Sequence, residues 1–178
     1  MNQWKITEKT IFKSKLFRIK EQKIVGKKIK KTHDIVERTP TVVIFPLTDT
    51  GQIYLISQYR SLYDKIITEA VAGHMDGNES ALKAAKRELK EETGLVASQW
   101  EELLRLENSA SVIRSTMHFF LARDLEEKTA NPEEGEEISL MKLPFETAIN
   151  KVMDGEIKNG PTVLGLLFLD KLRREKKI

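Results

Sequence analysis

Between Gly73 and Leu95 the chain reads GHMDGNESALKAAKRELKEETGL. On a helix, Glu88 lies three and four residues before Glu91 and Glu92, so the three carboxylates converge on one arc. Like charges at that spacing disfavour a helix by roughly a few tenths of a kcal/mol each. A hard divalent cation reverses the cost, because Mg²⁺ takes oxygen ligands at about 2.1 Å and gathers carboxylates together with substrate phosphates. The chemistry suggested is metal-assisted work on a phosphate. A solvated helix face explains part of the pattern, since Glu79–Lys83 and Arg87–Glu91 are compensating i,i+4 pairs. It does not explain three carboxylates on one arc beside an apolar stripe.

The helix that must present them has readable ends. Asn78, or Gly77 before it, suits the N-cap, Glu79 in the first turn suits the positive end of the dipole, and Gly94 suits a left-handed C-terminal cap. Leu82, Ala85 and Leu89 fall on the stripe that faces a core, with Lys83, Lys86, Arg87 and Lys90 on the opposite side.

Around this helix the chain reads as strands, then helices. FRIKEQKIV and KIKKTHDIVER flank Gly26 as a hairpin. TVVIFPL (Thr41 to Leu47) is a buried-strand run, QIYLISQYR (Gln52 to Arg60) follows the turn signal TDTG, and KIITEAVA leads into Gly73. WEELLRLE, VIRSTMHFFLARD and EEISLMKL are again strand-like. Pro144 opens a helix to about Asp154, closed by Gly155. Pro161 opens another, with Val163, Leu164, Leu167, Phe168 and Leu172 on one face. The composite is an α/β fold with a mixed sheet and packed helices.

The 178 residues suit one domain with a sizeable core, and 40% hydrophobic with 32% charged content excludes a disordered chain. No apolar run approaches the roughly 18 residues that span a bilayer, and MNQWKITEKTIFKSK has no apolar core of the signal-peptide kind. No cysteine is present, which excludes disulfides and thiolate metal sites and makes a cytoplasmic protein with no membrane partner the expectation. The net charge of +3 is uneven, with lysines crowded between Lys23 and Lys31 and in the tail KLRREKKI, and acids crowded in EEGEE (Glu133 to Glu137). A basic arm can bind nucleic acid, but a solvated hairpin explains these lysines better.

The segment resembles the Nudix box: a glycine, five residues, Glu, seven residues, then Arg-Glu-apolar-x-Glu-Glu-x-Gly-apolar. Gly73, Glu79, Arg87, Glu88, Leu89, Glu91, Glu92, Gly94 and Leu95 fill it without gap or substitution. The flanking VVIFPL…GQIYLISQYR…ITEAVAGHMDGNE and EEGEEISLMKLPFETAINKVMDGEIKNGPTVLGLLFL are similar to the ADP-ribose and nucleotide-sugar pyrophosphatase branch, so the likeness covers nearly all of the chain. It implies a Nudix fold, an α/β/α sandwich with a mixed sheet. It also implies an N-terminal antiparallel sheet region at residues 1–38 that pairs two subunits as a homodimer, ahead of a hydrolase domain at 39–178.

The resemblance further implies hydrolysis of a nucleoside diphosphate sugar with Mg²⁺, or Mn²⁺, as cofactor. Glu88 and Glu92 would be metal ligands with the carbonyl of Ala72. Glu91 would serve catalysis close by, and Arg87 would hold the glutamates through ion pairing. In the acidic loop, Glu134 matches the residue that activates the attacking water and Glu136 a further metal ligand; Glu133 and Glu137 stand in the same five-residue window as alternatives. Arg60 and Arg38 would contact substrate, as an arginine forks onto phosphate oxygens, and His74 would do so mainly through its backbone. Glu69 resembles a residue of the metal-site region.

One departure stands out. Where the branch often carries Ser-Pro-Gly with a glutamate four residues after the glycine, this chain has Ser109, Ala110, Ser111 and then Ser115. Those positions shape the pocket for the distal sugar, so the departure bears on sugar specificity and not on the metal chemistry. ADP-ribose, yielding AMP and ribose 5-phosphate, is the first expected substrate and GDP-mannose the second. A non-catalytic module binding nucleotide or RNA is the reading from another class, and the intact Glu88, Glu91 and Glu92 argue against it.

Overall fold

A computed structural model describes residues 4–128 and 137–178 of the chain. These fall into two compact units, the first Met1–Thr41 with Arg105–Met117, the second Val42–Leu104 with His118–Ile178.

The first unit is built on a sheet of four strands in the order β1-β2-β3-β9. Strands β1 (Lys5–Lys13), β2 (Phe17–Val25) and β3 (Lys30–Arg38) form antiparallel neighbours, and β9 (Ile113–Arg114) joins β3 in parallel. The β2–β3 hairpin turns about Gly26 as its sequence requires, with Val25 opposite Lys30 and Phe17 opposite Arg38. One register row runs across all four strands: Lys13 faces Arg18, Arg18 faces Glu37 and Glu37 faces Arg114. Residues directly opposite one another project to the same face of a sheet, so this row is a charged stripe.

An ion network lies on that face. Lys20 Nζ donates to Glu37 Oε1 at 2.7 Å and to Glu8 Oε2 at 3.4 Å, while Arg114 reaches Glu8 at 2.5 Å and Glu37 at 3.3 Å. Gln22 Nε2 adds a bond of 2.9 Å to Glu8. The hydrogen bond from Arg114, then that from Gln22, pulls the Glu8 carboxyl from 4.5 to about 2, and Lys20 holds Glu37 low as well. A carboxyl depressed by folding stabilises the fold above its unfolded value, and loses that contribution as pH falls toward its folded one. The first unit is therefore expected to lose protection against hydrogen exchange in β1 to β3 as pH drops from about 4.5 toward 2, and Glu8→Gln is expected to flatten that dependence. An unchanged pH profile in the variant would remove the network from this role.

The second unit holds two sheets, β7-β4-β10-β8 and β11-β5-β6. Their strands are β4 (Thr41–Pro46), β5 (Gln52–Arg60), β6 (Lys65–Glu69), β7 (Val71–His74), β8 (Leu95–Glu107), β10 (Thr116–Glu127) and β11 (Ile138–Pro144). The helices are α1 (Ala81–Thr93), α2 (Phe145–Met153) and α3 (Gly160–Arg174). Leu89 of α1 packs into a core with Val42, Ile44, Tyr54, Ile56, Val71, Leu95 and Phe120. The mixed α/β composition is the one expected from sequence. The expected run KIITEAVA breaks at Ala70 into β6 and β7, and its Ala70 N–H donates to the Thr162 hydroxyl of α3 at 2.8 Å.

Two sequence expectations about the helices are corrected. Ala84, Ala85 and Leu89 are the buried stripe of α1, whereas Leu82 is 39% exposed. On α3 the buried face is Thr162, Gly165, Leu166 and Leu169, with Leu164 and Leu167 turned outward. The reason is Phe45: its ring Cζ lies 2.1 Å from where a Cβ on residue 165 would stand, so the glycine decides which face meets the sheet. Hydrophobic periodicity counts a glycine as nothing and so places the stripe one position away.

Candidate active site

The glutamate helix starts later than its sequence suggests. Ser80 is the N-cap, its hydroxyl accepting from Lys83 N–H at 3.2 Å, so neither Asn78 nor Gly77 caps it and Glu79 stands ahead of the first turn. Glu79 is thereby free to turn back: its Oε1 accepts from the Asp76 N–H at 2.7 Å and from Arg87 at 2.9 Å. The helix closes at Gly94, whose φ of 72° is the expected left-handed cap.

Arg87 is the hub. Its Nη1 donates to Glu88 Oε1 at 2.9 Å and to Glu91 Oε2 at 3.0 Å, and its Nη2 donates to Glu79 Oε1 and to the His74 carbonyl, both at 2.9 Å. A rigid planar fork fixes the directions of several acceptors at once, which the rotatable donors of a lysine do not. The guanidinium stays charged, held there first by Glu79, and Glu79 is in turn kept below its ordinary value by Arg87. Arg87 thus joins β7 to α1 and orients Glu88 and Glu91. The pairing of Glu79 is with Arg87 and not with Lys83.

Gly73 sets the position of Glu88. A Cβ at residue 73 would stand 1.9 Å from Glu88 Cδ and 2.0 Å from its Oε1. The carboxylate therefore occupies the space where a side chain on β7 would be, against the backbone that carries the Ala72 carbonyl. Glu92, one turn on, is 9% exposed. Oxygen donors from Glu88, Glu92 and a backbone carbonyl, set in a cradle that a methyl group would fill, suit a hard divalent cation. Among the described residues no cluster of three His, Asp or Glu side chains closes around one centre. Glu136, the further ligand expected from sequence, lies outside the described residues, as does Glu134.

Gly73→Ala is expected to displace the Glu88 carboxylate, raise the metal concentration needed for half-maximal activity and lower activity about tenfold. Gly77, where a Cβ meets nothing within 4 Å but φ is 48°, is the control for backbone strain near the site without a clash. A metal titration of both alanine variants checks this, and equal curves for wild type and Gly73→Ala would deny Glu88 its place.

A second group assembles on β5, β6 and α3. Arg60 grips Glu69 with two bonds, Nε to Oε1 at 2.7 Å and Nη2 to Oε2 at 3.1 Å, and Asn159 Nδ2 adds a bond of 3.3 Å to the same carboxylate. Asn159 is also the N-cap of α3, accepting from Thr162 N–H at 3.1 Å. Sequence reasoning marked Arg60 and Glu69 but missed Asn159 and Thr162; the only signal for them is the N-cap pattern before Pro161. Arg38 belongs to the first unit, at the end of β3, and His74 lends its carbonyl to Arg87.

The NUDIX domain matches residues 37–161. An ADP-ribose pyrophosphatase of Mycobacterium tuberculosis is 34% identical over 140 residues, spanning 76% of this chain and 67% of that protein. A GDP-mannose pyrophosphatase of Salmonella arizonae is 30% identical over 154 residues, spanning 81% of this chain and 80% of that protein. A solved structure described as an ADP compounds hydrolase superposes with a TM-score of 0.84 at 22% identity, over 100% of this chain and 98% of that one.

Proposed function

The chain belongs to the NUDIX family, and from that premise we propose that it hydrolyses the pyrophosphate bond of a nucleoside diphosphate sugar, ADP-ribose first. The observation that carries this is the Arg87 hub, which orders Glu88 and Glu91 beside a glycine that leaves room for a charged oxygen cluster.

Water attacks one phosphorus, the bond from that phosphorus to the bridging oxygen breaks, and the products are AMP and ribose 5-phosphate. A divalent cation, Mg²⁺ or Mn²⁺, when bound supplies positive charge against the pyrophosphate oxygens and acidifies water. Glu88, Glu92, the Ala72 carbonyl and Glu136 hold it. Arg87 keeps the helix carboxylates aimed. Glu134 takes the proton from the attacking water, with Glu91 close to the reacting group. Arg60 and Arg38 meet substrate oxygens, Arg60 with its guanidinium plane already fixed by Glu69, and His74 contributes backbone. Positioning and electrostatics supply most of the rate in such reactions.

The decisive experiment is a screen of nucleoside diphosphate sugars with Mg²⁺ and with Mn²⁺, reading phosphate released after phosphatase treatment. ADP-ribose is expected to lead, and a higher kcat/KM for GDP-mannose would transfer the assignment to that substrate. Hydrolysis of none would overturn the reading.

The same proposal includes a cytoplasmic homodimer, with residues 1–38 as the pairing region. Support comes from β1, an edge strand that exposes Ile6, Ile11 and Phe12 and so invites a covering partner. Light scattering is expected to give twice the 20.4 kDa chain mass, and a monomer at working concentrations would refute it.

A further inference from the structure

The first unit contains a cleft of about 440 Å³, inside the usual range for small-molecule sites, of which the catalytic reading uses Arg38 alone. The β1–β2 turn forms one side, with Lys13, Lys15, Leu16 and Arg18. The other side is the end of β3 and the β9 segment, with Arg38 and Ser115. The turn is fixed, because Ser14 N–H donates to the Phe17 carbonyl at 2.9 Å and the Ser14 hydroxyl bridges the same residue.

The charge of this cleft is one-sided. Among the described residues its only carboxylate is Glu37, and Glu37 with Glu8 is already matched by Lys20 and Arg114, two negative groups against two positive. Arg18 lies 3.9 Å from Glu37 with half its side chain exposed, which leaves its charge scarcely compensated. Lys13, Lys15 and Arg38 have no ion-pair partner among the described residues. A pleated row places Lys13 and Arg18 side by side on the same face, despite their repulsion. The position where the branch resemblance calls for a glutamate is Ser115. It is 7% exposed, and its hydroxyl donates to the Thr39 carbonyl at 3.3 Å. Serine at this position gives the cleft no carboxylate acceptor for sugar hydroxyls and leaves its donors in excess.

We propose that this cleft binds a phosphomonoester dianion, with Lys13, Lys15, Arg18 and Arg38 as its donors. A single carboxylate would leave most of those cations uncompensated, whereas a phosphate ester carries close to two charges and three acceptor oxygens. The ester has two sources, the sugar phosphate released by hydrolysis or a phosphate on the distal sugar of an intact substrate. Both sources rest on the proposed function; the binding of a phosphomonoester in the cleft does not.

The test has two arms, both on the full chain. In the first, ribose 5-phosphate, inorganic phosphate and plain ribose are titrated calorimetrically without metal, in chelator, so that the α1 glutamates cannot contribute. Ribose 5-phosphate is expected to bind at least about tenfold tighter than ribose, and the double reversal Lys13→Glu/Lys15→Glu to weaken it by about tenfold or more with the melting temperature unchanged. Lys15→Ala, milder at an exposed turn, is expected to move affinity the same way if the reversal fails to fold. Equal binding of ribose and ribose 5-phosphate, or lysine variants that bind like wild type, would overturn the proposal whatever the hydrolytic activity proves to be. The second arm compares kcat/KM for a nucleoside diphosphate sugar with and without a phosphate ester on the distal sugar. A preference for the phosphorylated compound that the lysine variants lose places the ester on the substrate. Equal kcat/KM with intact binding in the first arm assigns the cleft to the released sugar phosphate.

Discussion

Glu92→Gln is expected to lower kcat by a hundredfold or more while leaving the fold in place. The carboxylate is 9% exposed on α1, one turn from Glu88, and it faces the same side of the helix as the core residue Leu89. An amide of nearly equal size preserves packing, so the variant separates charge from volume. Removing one anionic oxygen weakens the grip on a divalent cation, and the acidified water that the cation supplies is worth at least that much in rate. Thermal melting distinguishes the outcomes: a wild-type melting temperature with lost activity supports a ligand role, and lost activity with a lowered melting temperature points to packing. Wild-type turnover on the best substrate would mean that Glu92 does not hold the metal.

What the sequence showed of this site depends on distance along the chain. The α1 glutamates, Gly73 and Gly94 lie in one 23-residue segment, where helical geometry converts spacing directly into direction. Arg87 could be seen to serve Glu91 for the same reason. Its bond to the His74 carbonyl could not, because that depends on where β7 passes the helix. The Ser80 cap was hidden by competition, since Gly77, Asn78, Glu79 and Ser80 are all residues that end or begin helices, and only the Asp76–Glu79–Arg87 contacts decide among them. Long-range ion pairs were invisible: Arg114 meets Glu8 across 106 residues, and nothing local to either marks the other. On α3 the pattern misled outright, because the ring of Phe45 needs a glycine where periodicity sees a gap. Strands β2 and β5 were read to the residue because turn chemistry bounded each of them.

The acidic loop Glu133 to Glu137 carries the remaining assignment, and the two glutamates proposed there are expected to fail differently. Glu134→Gln is expected to lower kcat by roughly 10²–10⁴, the worth of a positioned general base, with the metal requirement little changed. Glu136→Gln is expected instead to raise the metal concentration for half-maximal activity, because a carboxylate ligand is lost and metal affinity follows ligand charge. The contrast is informative because both substitutions remove one negative charge from the same short loop. A general electrostatic effect would therefore move both variants together, in rate and in metal dependence. A base acts only on the proton in flight, so saturating metal cannot rescue Glu134→Gln. A ligand acts on occupancy, so saturating metal restores much of Glu136→Gln. Titrating kcat against metal for both variants separates these cases. Rescue of Glu134→Gln by metal would exchange the two roles, and two silent variants would move the base to Glu133, Glu137 or the α1 helix itself.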